Sequence, residues 1–426
     1  MAFAWRLAAA LGSLLGAARG FGSMSTDEGA LPLLSSLAPE VLHALTPPAS
    51  SGAYCLDESA FSFFVVPRAG ATRVVIELAS GDSCWDAASC EFAFSRAVGG
   101  APINEVDPKL LALDGATSEE VKKSKINLAF DKAAFAGDTY IYVPYCTMDS
   151  HYGSASAEYE IGGVEMTLNH NGWANVQTAI DWAKANFKAS TKRRKWSSRA
   201  ARLAGANVAP LVAASLAPAF GSVSVLTDSF VGLHTDEFVQ DSIFGTWAAQ
   251  CAFASVLPDL DLKNPRLNTA DATIEMLREL LRYYPKLSVG AYQTVHDATQ
   301  MFYLLNSDTG TISSLSEKKD LDTFARLIVS RIENLASEFP SQFSAFVAYG
   351  NSHCRADVDL TEAHGLWVEA VLGGFPVPVS QACENCTLAA LPGCDGVFGS
   401  LLVESHCYTC DEACPDPVTL VDFSVC

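Results

Sequence analysis

Apolar residues are grouped along the chain into short runs rich in β-formers and longer runs with helical spacing. The short runs, which predict strands, cover residues 61–66, 72–78, 140–143, 223–226, 287–292 and 343–348. The longer runs, which predict helices, cover residues 173–187, 237–253, 270–284, 297 onward, 317–338 and 361–372. Because strands alternate with helices, we expect an α/β fold of three layers, with a mostly parallel central sheet and helices on both faces.

The first two strand-like runs are separated by only a short turn segment. Residues 61–66 and 72–78 flank Pro67-Arg68-Ala69-Gly70, which is typical of a turn. This pattern predicts a hairpin, or two strands that are neighbours in the sheet.

A small-residue corner near position 205 is the main candidate for a functional site. There a short apolar run, residues 200–204, meets the alanine-rich helical run 208–219. A strand that turns sharply into a helix is the setting of the nucleophile elbow of serine hydrolases. This corner has no serine; Asn207 takes the central position, and asparagine tolerates the positive φ that an elbow can demand. Asn207 is also an ordinary turn residue, and both interpretations stay open.

Two polar residues follow later strands of the predicted sheet. Asp297 comes after 287–292, and His353 comes after 343–348. Ligands bind beyond the carboxyl ends of the strands in sheets of this kind. The chain order of corner, acid and histidine is that of an α/β-hydrolase triad. Asp297 is equally a common helix N-cap, and His353 an ordinary loop histidine.

The two ends of the chain differ from its middle. Residues 1–20 combine one arginine, a short apolar run and small residues, which predicts a cleaved secretory signal. We expect residues 21–374 to form one hydrolase-like domain and 375–426 a cysteine-rich tail. The apolar segment 203–226 is interrupted by prolines and glycine, so no membrane span is expected. The net charge of −20 argues against nucleic acid as a partner.

Thirteen cysteines in a secreted chain predict disulfide bonds, with one thiol left over. In the tail, the spacing of Cys383 and Cys386 with Cys407 and Cys410 also fits a zinc ribbon. Secretion favours disulfides there, and we expect neither a metal nor another cofactor. Asn385 begins the chain's only glycosylation sequon, which fits a luminal or extracellular location.

Short motifs in a consistent order resemble the pectin acetylesterase and Notum family of carboxylesterases. They are Tyr54-Cys55-Leu56-Asp57, Cys84-Trp85-Asp86 with Cys90, Val143-Pro144-Tyr145-Cys146-Thr147-Met148-Asp149 with Gly153, and Thr227-Asp228-Ser229. The resemblance covers residues 52–374 and implies an α/β-hydrolase-like fold. It implies triad positions at Asn207, Asp297 and His353, and oxyanion-hole positions at Gly81, Asp82 and Val208. It further implies disulfides between Cys55 and Cys146 and between Cys84 and Cys90.

The departures from the family pattern lie in the catalytic positions. Where the family has Gly-x-Ser-Ala-Gly-Gly, Gly205 is kept, Asn207 replaces the serine and Ala209-Pro210 replace the glycines. The family's oxyanion glycine and tryptophan fall at Gly81 and Asp82. A carboxylate that approached the pocket there would repel a developing oxyanion. Two independent catalytic elements are thus altered together.

Two functions follow from different classes. The first is a secreted protein, a carboxylic ester hydrolase by family, that is catalytically impaired and binds a carbohydrate or acyl-ester ligand. The alternative is an active carboxylesterase or deacetylase of polysaccharide or lipid esters that uses a shifted nucleophile. Candidates for that nucleophile are Ser80, Ser215 and Ser229, none of which has the context of an elbow.

Overall fold

The computed structural model describes residues 30–97, 104–124, 128, 135, 137–187, 195–200, 203–220, 222–229, 231–257, 265–295, 297–307, 318–348 and 362–373. Four predicted features lie outside these residues: the secretory signal at 1–20, His353, Asn385 and the cysteine-rich tail at 375–426.

An eight-stranded sheet lies at the centre of the fold. The strands are β1 (His43–Leu45), β2 (Phe63–Val66), β3 (Arg73–Leu78), β4 (Thr139–Val143), β5 (Ala155–Ile161), β6 (Val164–His170), β7 (Lys195–Ala200), β8 (Ser222–Asp228), β9 (Leu287–Thr294) and β10 (Phe343–Ala348). The order across the sheet is β1-β2-β4-β3-β7-β8-β9-β10, while β5 and β6 form a separate hairpin. From β4 to β10 all neighbours are parallel, and β1 and β2 are antiparallel additions at one edge. The predicted mostly parallel sheet is confirmed.

Helices connect and cover the strands. In the described part of the chain they are α1 (Ala87–Ala97), α2 (Pro108–Leu111), α3 (Ser118–Lys123), α4 (Gly172–Asn186), α5 (Leu203–Leu216), α6 (Gln250–Val256), α7 (Ala272–Tyr283), α8 (Ala298–Asn306), α9 (Lys318–Glu338) and α10 (Glu362–Leu372). A π-helix lies at Phe238–Thr246, and short 3-10 turns lie at Leu34–Ser36, Ala49–Ser51 and Pro265–Asn268. α5 packs on β3, β7, β8 and β9, and α10 on β8, β9 and β10. None of these helices is both long and apolar enough to cross a membrane.

Strands inside the sheet are buried along almost their whole length. All four residues of β2 are buried, as are the last five of β3. Strands covered on both faces need apolar side chains on both, which gives unbroken apolar runs rather than alternation. The β5–β6 hairpin alternates instead between exposed and partly covered residues, as expected for a hairpin with one solvated face. Its mixed polarity is the reason that the apolar runs did not predict it.

β2 and β3 are not neighbours, so the predicted hairpin is wrong. β4 lies between them: Val75 of β3 pairs in parallel with Tyr140, and Phe64 of β2 pairs antiparallel with Tyr142. All three strands are apolar. Apolar runs report burial and not the pairing partner, so the pattern could not show that β4 separates β2 from β3.

Two disulfides fix the loops near the carboxyl ends of β3 and β4. Cys55 and Cys146 join the segment before β2 to the end of β4, with their Cα atoms 5.0 Å apart. Cys84 and Cys90 close the turn between β3 and α1, with their Cα atoms 4.7 Å apart. Both bonds implied by the family resemblance are confirmed. Cys251, on α6, is an exposed free thiol.

Candidate functional site

A small pocket lies where the loops after β3, β4 and β8 meet α5 and α8. Its cavity volume is about 40 Å³, which at roughly 10–15 Å³ per water-sized group gives room for about three such groups. Its walls combine aromatic rings with polar side chains: Trp85, Phe238, Trp247 and Tyr303, and Ser83, Ser150, Asn207, His234 and Gln300. This position, beyond the carboxyl ends of parallel strands, is where α/β folds bind ligands.

Asn207 lies inside α5 and not at a strained corner. β7 ends at Ala200 and α5 begins at Leu203. The observed strand end and helix start therefore precede the corner that the sequence predicts. Asn207 is not among the residues with positive φ, and that expectation is wrong as well. The reason is tertiary packing. α5 packs on β3, β7, β8 and β9, which outweighs the low helix propensity of Gly205 and Asn207.

Gly205 brings the first turn of α5 onto the end of β3. A Cβ atom at this position would lie 2.5 Å from the carbonyl oxygen of Leu78 and 2.9 Å from the Cβ of Leu78. Neither atom belongs to the flexible end of a side chain, so glycine alone fits here. The close contact fixes the position of Asn207, two residues later, relative to the sheet.

Asn207 is held by its backbone and presents its side chain to the pocket. The hydroxyl of Tyr152 donates to the backbone carbonyl of Asn207 over 2.6 Å. Burial raises the pKa of Tyr152, which keeps that hydroxyl protonated as a donor. Asn207 is 4% exposed, and its Oδ1 has no hydrogen-bond partner among the described residues. Leaving a buried polar atom unpaired costs about 1–3 kcal/mol.

Asp297 precedes α8 and serves both as its cap and as an anchor for Gln300. Its Oδ1 accepts from the backbone N–H of Gln300 over 2.9 Å. Its Oδ2 accepts from Gln300 Nε2 over 2.7 Å and from Gln293 Nε2 over 3.5 Å. Asp297 is fully buried, and Gln300 lines the pocket. The expected triad acid therefore reaches the pocket through Gln300.

The partners of the Gln300 amide fix its orientation. Nε2 donates to Asp297 Oδ2 and also to Gln293 Oε1, at 2.9 Å from the latter. Asp297 Oδ2 and Gln293 Oε1 are both acceptors, so the Gln300 side chain must turn its nitrogen, and not its oxygen, towards them. Gln300 Oε1 is then left without a partner among the described residues. Like Asn207, Gln300 lines the pocket and has a buried side-chain oxygen without a described partner.

The loop after β4 has an unusual backbone. Met148, Ser150 and His151 have positive φ values of 51°, 54° and 60°. For residues other than glycine this region costs on the order of 1 kcal/mol or more each, and such strain clusters at functional sites. The conformation brings Ser150 and Tyr152 to the pocket wall.

Asp149 holds this loop in place. Its Oδ1 accepts from the hydroxyl of Thr147 over 2.7 Å and from the N–H of His151 over 2.9 Å. Its Oδ2 accepts from the N–H of Gly172, at the start of α4, over 2.7 Å. Burial raises the pKa of Asp149 to about 6, although these hydrogen bonds act in the opposite direction. The loop is thereby tied to a helix N-terminus.

The three expected oxyanion-hole positions have different surroundings. A Cβ at Gly81 would lie 2.7 Å from the ring of Tyr145, so glycine is required against that ring. Asp82 Oδ1 accepts from the hydroxyl of Tyr303 over 2.8 Å, and Tyr303 lines the pocket. Val208 is fully buried in α5. Their part in an oxyanion hole stays a prediction.

Sequence reasoning missed several polar pocket residues. Ser83 and Ser150 have hydroxyl oxygens 3.3 Å apart. His234 Nε2 lies 3.1 Å from Thr273 Oγ1, and burial, followed by the charge of Arg331, lowers the pKa of His234 to about 3. The imidazole is therefore neutral near pH 7. These residues lie in the loops after β3, β4 and β8. Ligands of α/β folds bind at such loops, so the position of these residues after predicted strands could have identified them.

His353 and Asn385 lie outside the described residues, so their roles stay predictions. Asn207 lines the pocket, and Asp297 is hydrogen-bonded to Gln300, which lines it too. Two of the three expected triad positions are therefore associated with this site.

The Wnt deacylase Notum from Drosophila, solved in two crystal forms, is similar to the chain in structure. Form II matches with a TM-score of 0.50 and 13% identity, and covers 81% of this chain and 97% of the Notum chain. Form I matches with a TM-score of 0.50 and 14% identity, and covers 82% and 97%. The chain has the Notum fold. No protein-family model matches the sequence, and no curated protein matches it.

At this identity the likeness to Notum concerns the fold alone. It confirms the expected α/β-hydrolase-like architecture, with its mostly parallel sheet and covering helices. Fold by itself does not establish function, because unrelated activities share the same scaffold.

Proposed function

We propose that this chain is a secreted hydrolase-fold protein that has lost ester hydrolysis and binds a small neutral ligand, part of a carbohydrate or a short acyl group. Asn207 carries the proposal: it is 4% exposed and lines the pocket where a serine nucleophile is expected. Secretion is supported by the pattern of residues 1–20 and by two disulfides, which persist in oxidising compartments.

A carboxamide at position 207 cannot replace a serine hydroxyl in acyl transfer. The serine oxygen attacks the ester carbonyl as a base removes its proton. The amide oxygen of Asn207 has no proton to lose, and the amide nitrogen lone pair is delocalised. Removing the nucleophile from a triad lowers the rate by on the order of 10⁶. A pocket altered in this way binds without turnover.

A carboxylate close to the pocket further disfavours ester hydrolysis. Tyr303 lines the pocket and donates to Asp82 Oδ1 over 2.8 Å. Ester hydrolysis builds negative charge on the carbonyl oxygen, which positioned donors must stabilise. The charge of Asp82 opposes that build-up, so Asn207 and Asp82 act in the same direction.

The size of the cavity bears on the part of the ligand that enters it. Drosophila Notum is a Wnt deacylase. The pocket described here, about 40 Å³, has room for about three water-sized groups. The pocket is partly open to solvent, so this volume concerns only the group that enters it, and we propose that this group is short.

One arrangement favours a second candidate function, an active carboxylesterase with a shifted nucleophile. Ser83 and Ser150 both line the pocket, and so does His234. Burial and the charge of Arg331 lower the pKa of His234 to about 3, so its neutral ring is a weak base. Ser150 also has a φ of 54°, which resembles the strained backbone of an elbow. Ser229, considered from the sequence, is fully buried, and its hydroxyl donates to Asp228 Oδ1 over 2.9 Å.

Hydrolysis of an aryl acetate by the purified full chain separates the two candidates. We expect the wild type and Asn207→Ala to hydrolyse it no faster than buffer. Asn207→Ser returns a hydroxyl to the expected position and is expected to gain activity. Wild-type hydrolysis that disappears in Ser150→Ala or Ser83→Ala would establish the second candidate and contradict the first.

A further inference from the structure

The wall of the pocket is buried on one side and partly exposed on the other. Trp85, Asn207 and Gln300 are among its buried members. Its partly exposed members are His234, Tyr303, Leu304 and Ser307. Wall residues that keep contact with solvent must lie where the pocket opens, so these four mark its mouth.

A hydrogen bond joins two walls of the pocket at this mouth. The hydroxyl of Tyr303, on α8, donates to Asp82 Oδ1 over 2.8 Å. Asp82 is partly exposed and directly precedes Ser83, which lines the pocket in the loop after β3. The bond therefore runs from the helix to the loop on the solvent side of the pocket.

The backbone on both sides of this bond is held in place. The loop that carries Asp82 is closed by the disulfide between Cys84 and Cys90. α8 is capped at its start by Asp297 and buries Phe302 in the protein interior. Movement at the mouth therefore falls on side chains and not on the elements that carry them.

The side chain of Tyr303 is the one placed to move. It is partly exposed, and its ring meets that of Trp85 edge-on, with the ring centres 6.2 Å apart. The bond to Asp82 holds the ring in this position. Exposed side chains change rotamer within nanoseconds, so a turn of the ring towards solvent requires little beyond the loss of that bond.

We propose that Tyr303 determines the size of the group that enters the pocket. Bonded to Asp82, its ring narrows the mouth and admits a short group; turned towards solvent, the ring admits a larger one. The inference rests on the proposed function, because it takes this pocket as the ligand site. Tyr303 acts on access to the pocket and not on a reacting atom.

The reaction rate of a thiol introduced into the pocket wall measures access to the pocket. Asn207→Cys places such a thiol in the full chain, and Ser83→Cys provides a second reporter in the same wall. The exposed Cys251 of the same molecule is the reference. Iodoacetamide and the bulkier iodoacetanilide have the same reacting group, and peptide mass spectrometry gives the rate at the reporter relative to Cys251. We expect both reporters to react more slowly than Cys251, and iodoacetanilide to be the more strongly excluded reagent.

Tyr303→Phe removes the hydroxyl and keeps the ring, so we expect an intact fold. The relative rate with iodoacetanilide should rise about tenfold, as suits the loss of one hydrogen bond to a charged group, and the rate with iodoacetamide should rise less. Tyr284→Phe is the matched control. Tyr284 is also partly exposed, and it donates its hydroxyl to the carbonyl of Val256, outside the pocket wall. Its relative rates should not change.

Two substitutions of Asp82 test the other end of the bond. Asp82→Ala removes the acceptor and should raise the relative rate as Tyr303→Phe does, and the two changes together should add little more. Asp82→Asn removes the charge but keeps an acceptor oxygen, so its rate should stay closer to that of the wild-type residue. Equal acceleration by Asp82→Asn and Asp82→Ala would reveal an effect of charge on the thiol and overturn the proposal.

The remaining outcomes are equally decisive. Reporters that react as fast as Cys251 while Tyr303 is intact overturn the proposal, and so does a Tyr303→Phe variant that accelerates neither reporter. An equal acceleration for the two reagents also overturns it, because size would then play no part. Hydrolysis of an aryl acetate by the wild type contradicts the proposed function and leaves the thiol result unchanged, so the two failures are distinguishable.

Discussion

Gln300 donates its side-chain amide to Asp297 Oδ2 over 2.7 Å, and this bond determines which Gln300 atom is left unpaired. Asp297 also caps α8 through the backbone N–H of Gln300. Among its described partners, Asp297, the expected triad acid, therefore orients an amide. This carboxylate has a structural role beside the pocket that Asn207 lines.

Replacing Asp297 by alanine removes both bonds to Gln300. We expect a loss of about 2–4 kcal/mol in the free energy of unfolding, about 1 kcal/mol from the cap and the rest from buried amide groups left unpaired. Urea unfolding measures it. Asp107→Ala is the matched control, because Asp107 caps α2 through the N–H of Lys109 but is only partly buried. Equal losses in the two variants would contradict the buried role of Asp297.

Gly205→Ala is expected to destabilise the protein although alanine is the better helix former. Helix propensity favours the variant by about 1 kcal/mol. The new Cβ, however, would lie 2.5 Å from the carbonyl oxygen of Leu78, and such overpacking costs about 1–3 kcal/mol or more. Thermal unfolding should show a lower Tm for Gly205→Ala. In the control Gly137→Ala nothing lies within 4 Å of the added Cβ, and its Tm should change little. A wild-type Tm in Gly205→Ala would contradict the contact between α5 and β3.

The two disulfides are expected to differ in their contribution to stability. The Cys55 to Cys146 bond spans 91 residues of sequence, and the Cys84 to Cys90 bond spans 6. In the chain-entropy model these loops correspond to about 4–5 and about 2 kcal/mol. Urea unfolding of the two double alanine variants, one for each disulfide, should show the larger loss of stability when the Cys55 to Cys146 bond is removed. A larger loss on removing the short-loop bond would be inconsistent with it.

The positions of several long apolar elements could be predicted from sequence, because apolar periodicity directly reports burial. The run predicted as one helix at 237–253 is instead a π-helix at Phe238–Thr246 followed by α6 at Gln250–Val256. β10 lies at the predicted residues 343–348, and α10 at Glu362–Leu372 lies within the predicted 361–372. Strand pairing could not be predicted in the same way. The runs that became β2 and β3 are close in sequence, and only the tertiary arrangement shows that β4 separates them.

The site could be predicted only in part. Asp297 was found because it follows a strand, where α/β folds carry their ligands. Asn207 was found from the small-residue corner predicted around it, although it lies inside α5. Ser150 and Tyr152 reach the pocket through a loop of positive-φ residues, and no local pattern of non-glycine residues indicates that conformation. Trp85 lies in the Cys84-Trp85-Asp86 motif. Its packing against Phe238, however, is a contact between distant parts of the chain, which no local pattern predicts.

Buried histidines predict a loss of stability in mildly acidic solution. Burial lowers the pKa of His151 and His170 to about 4 and, with the charge of Arg331, that of His234 to about 3. The folded protein keeps these rings neutral, whereas the unfolded chain protonates them near pH 6.5. Because the unfolded state then binds more protons, the free energy of unfolding falls as the pH drops from about 6.5 towards 4. Asp149 acts oppositely below about pH 6, since burial raises its pKa in the folded state.

The histidines should dominate this balance, because they outnumber Asp149. Each contributes about 2 kcal/mol to the difference between pH 7 and pH 5, and the single carboxyl offsets about 1 kcal/mol. Urea midpoints at the two pH values measure the net loss. His234→Gln should reduce the difference by removing one neutral ring. A stability that does not fall between pH 7 and pH 5 would show that these rings are protonated in the folded protein.

Intact mass spectrometry after treatment with a fluorophosphonate is the most direct test of the claim that this pocket has no nucleophile. An activated serine forms a covalent adduct with the reagent, and asparagine does not. The full-length wild type is compared with Asn207→Ser, which carries a hydroxyl at the same position. We predict no mass increase for the wild type. A stoichiometric adduct on the wild type, mapped to Ser83, Ser150 or any other serine of the pocket, would contradict the claim.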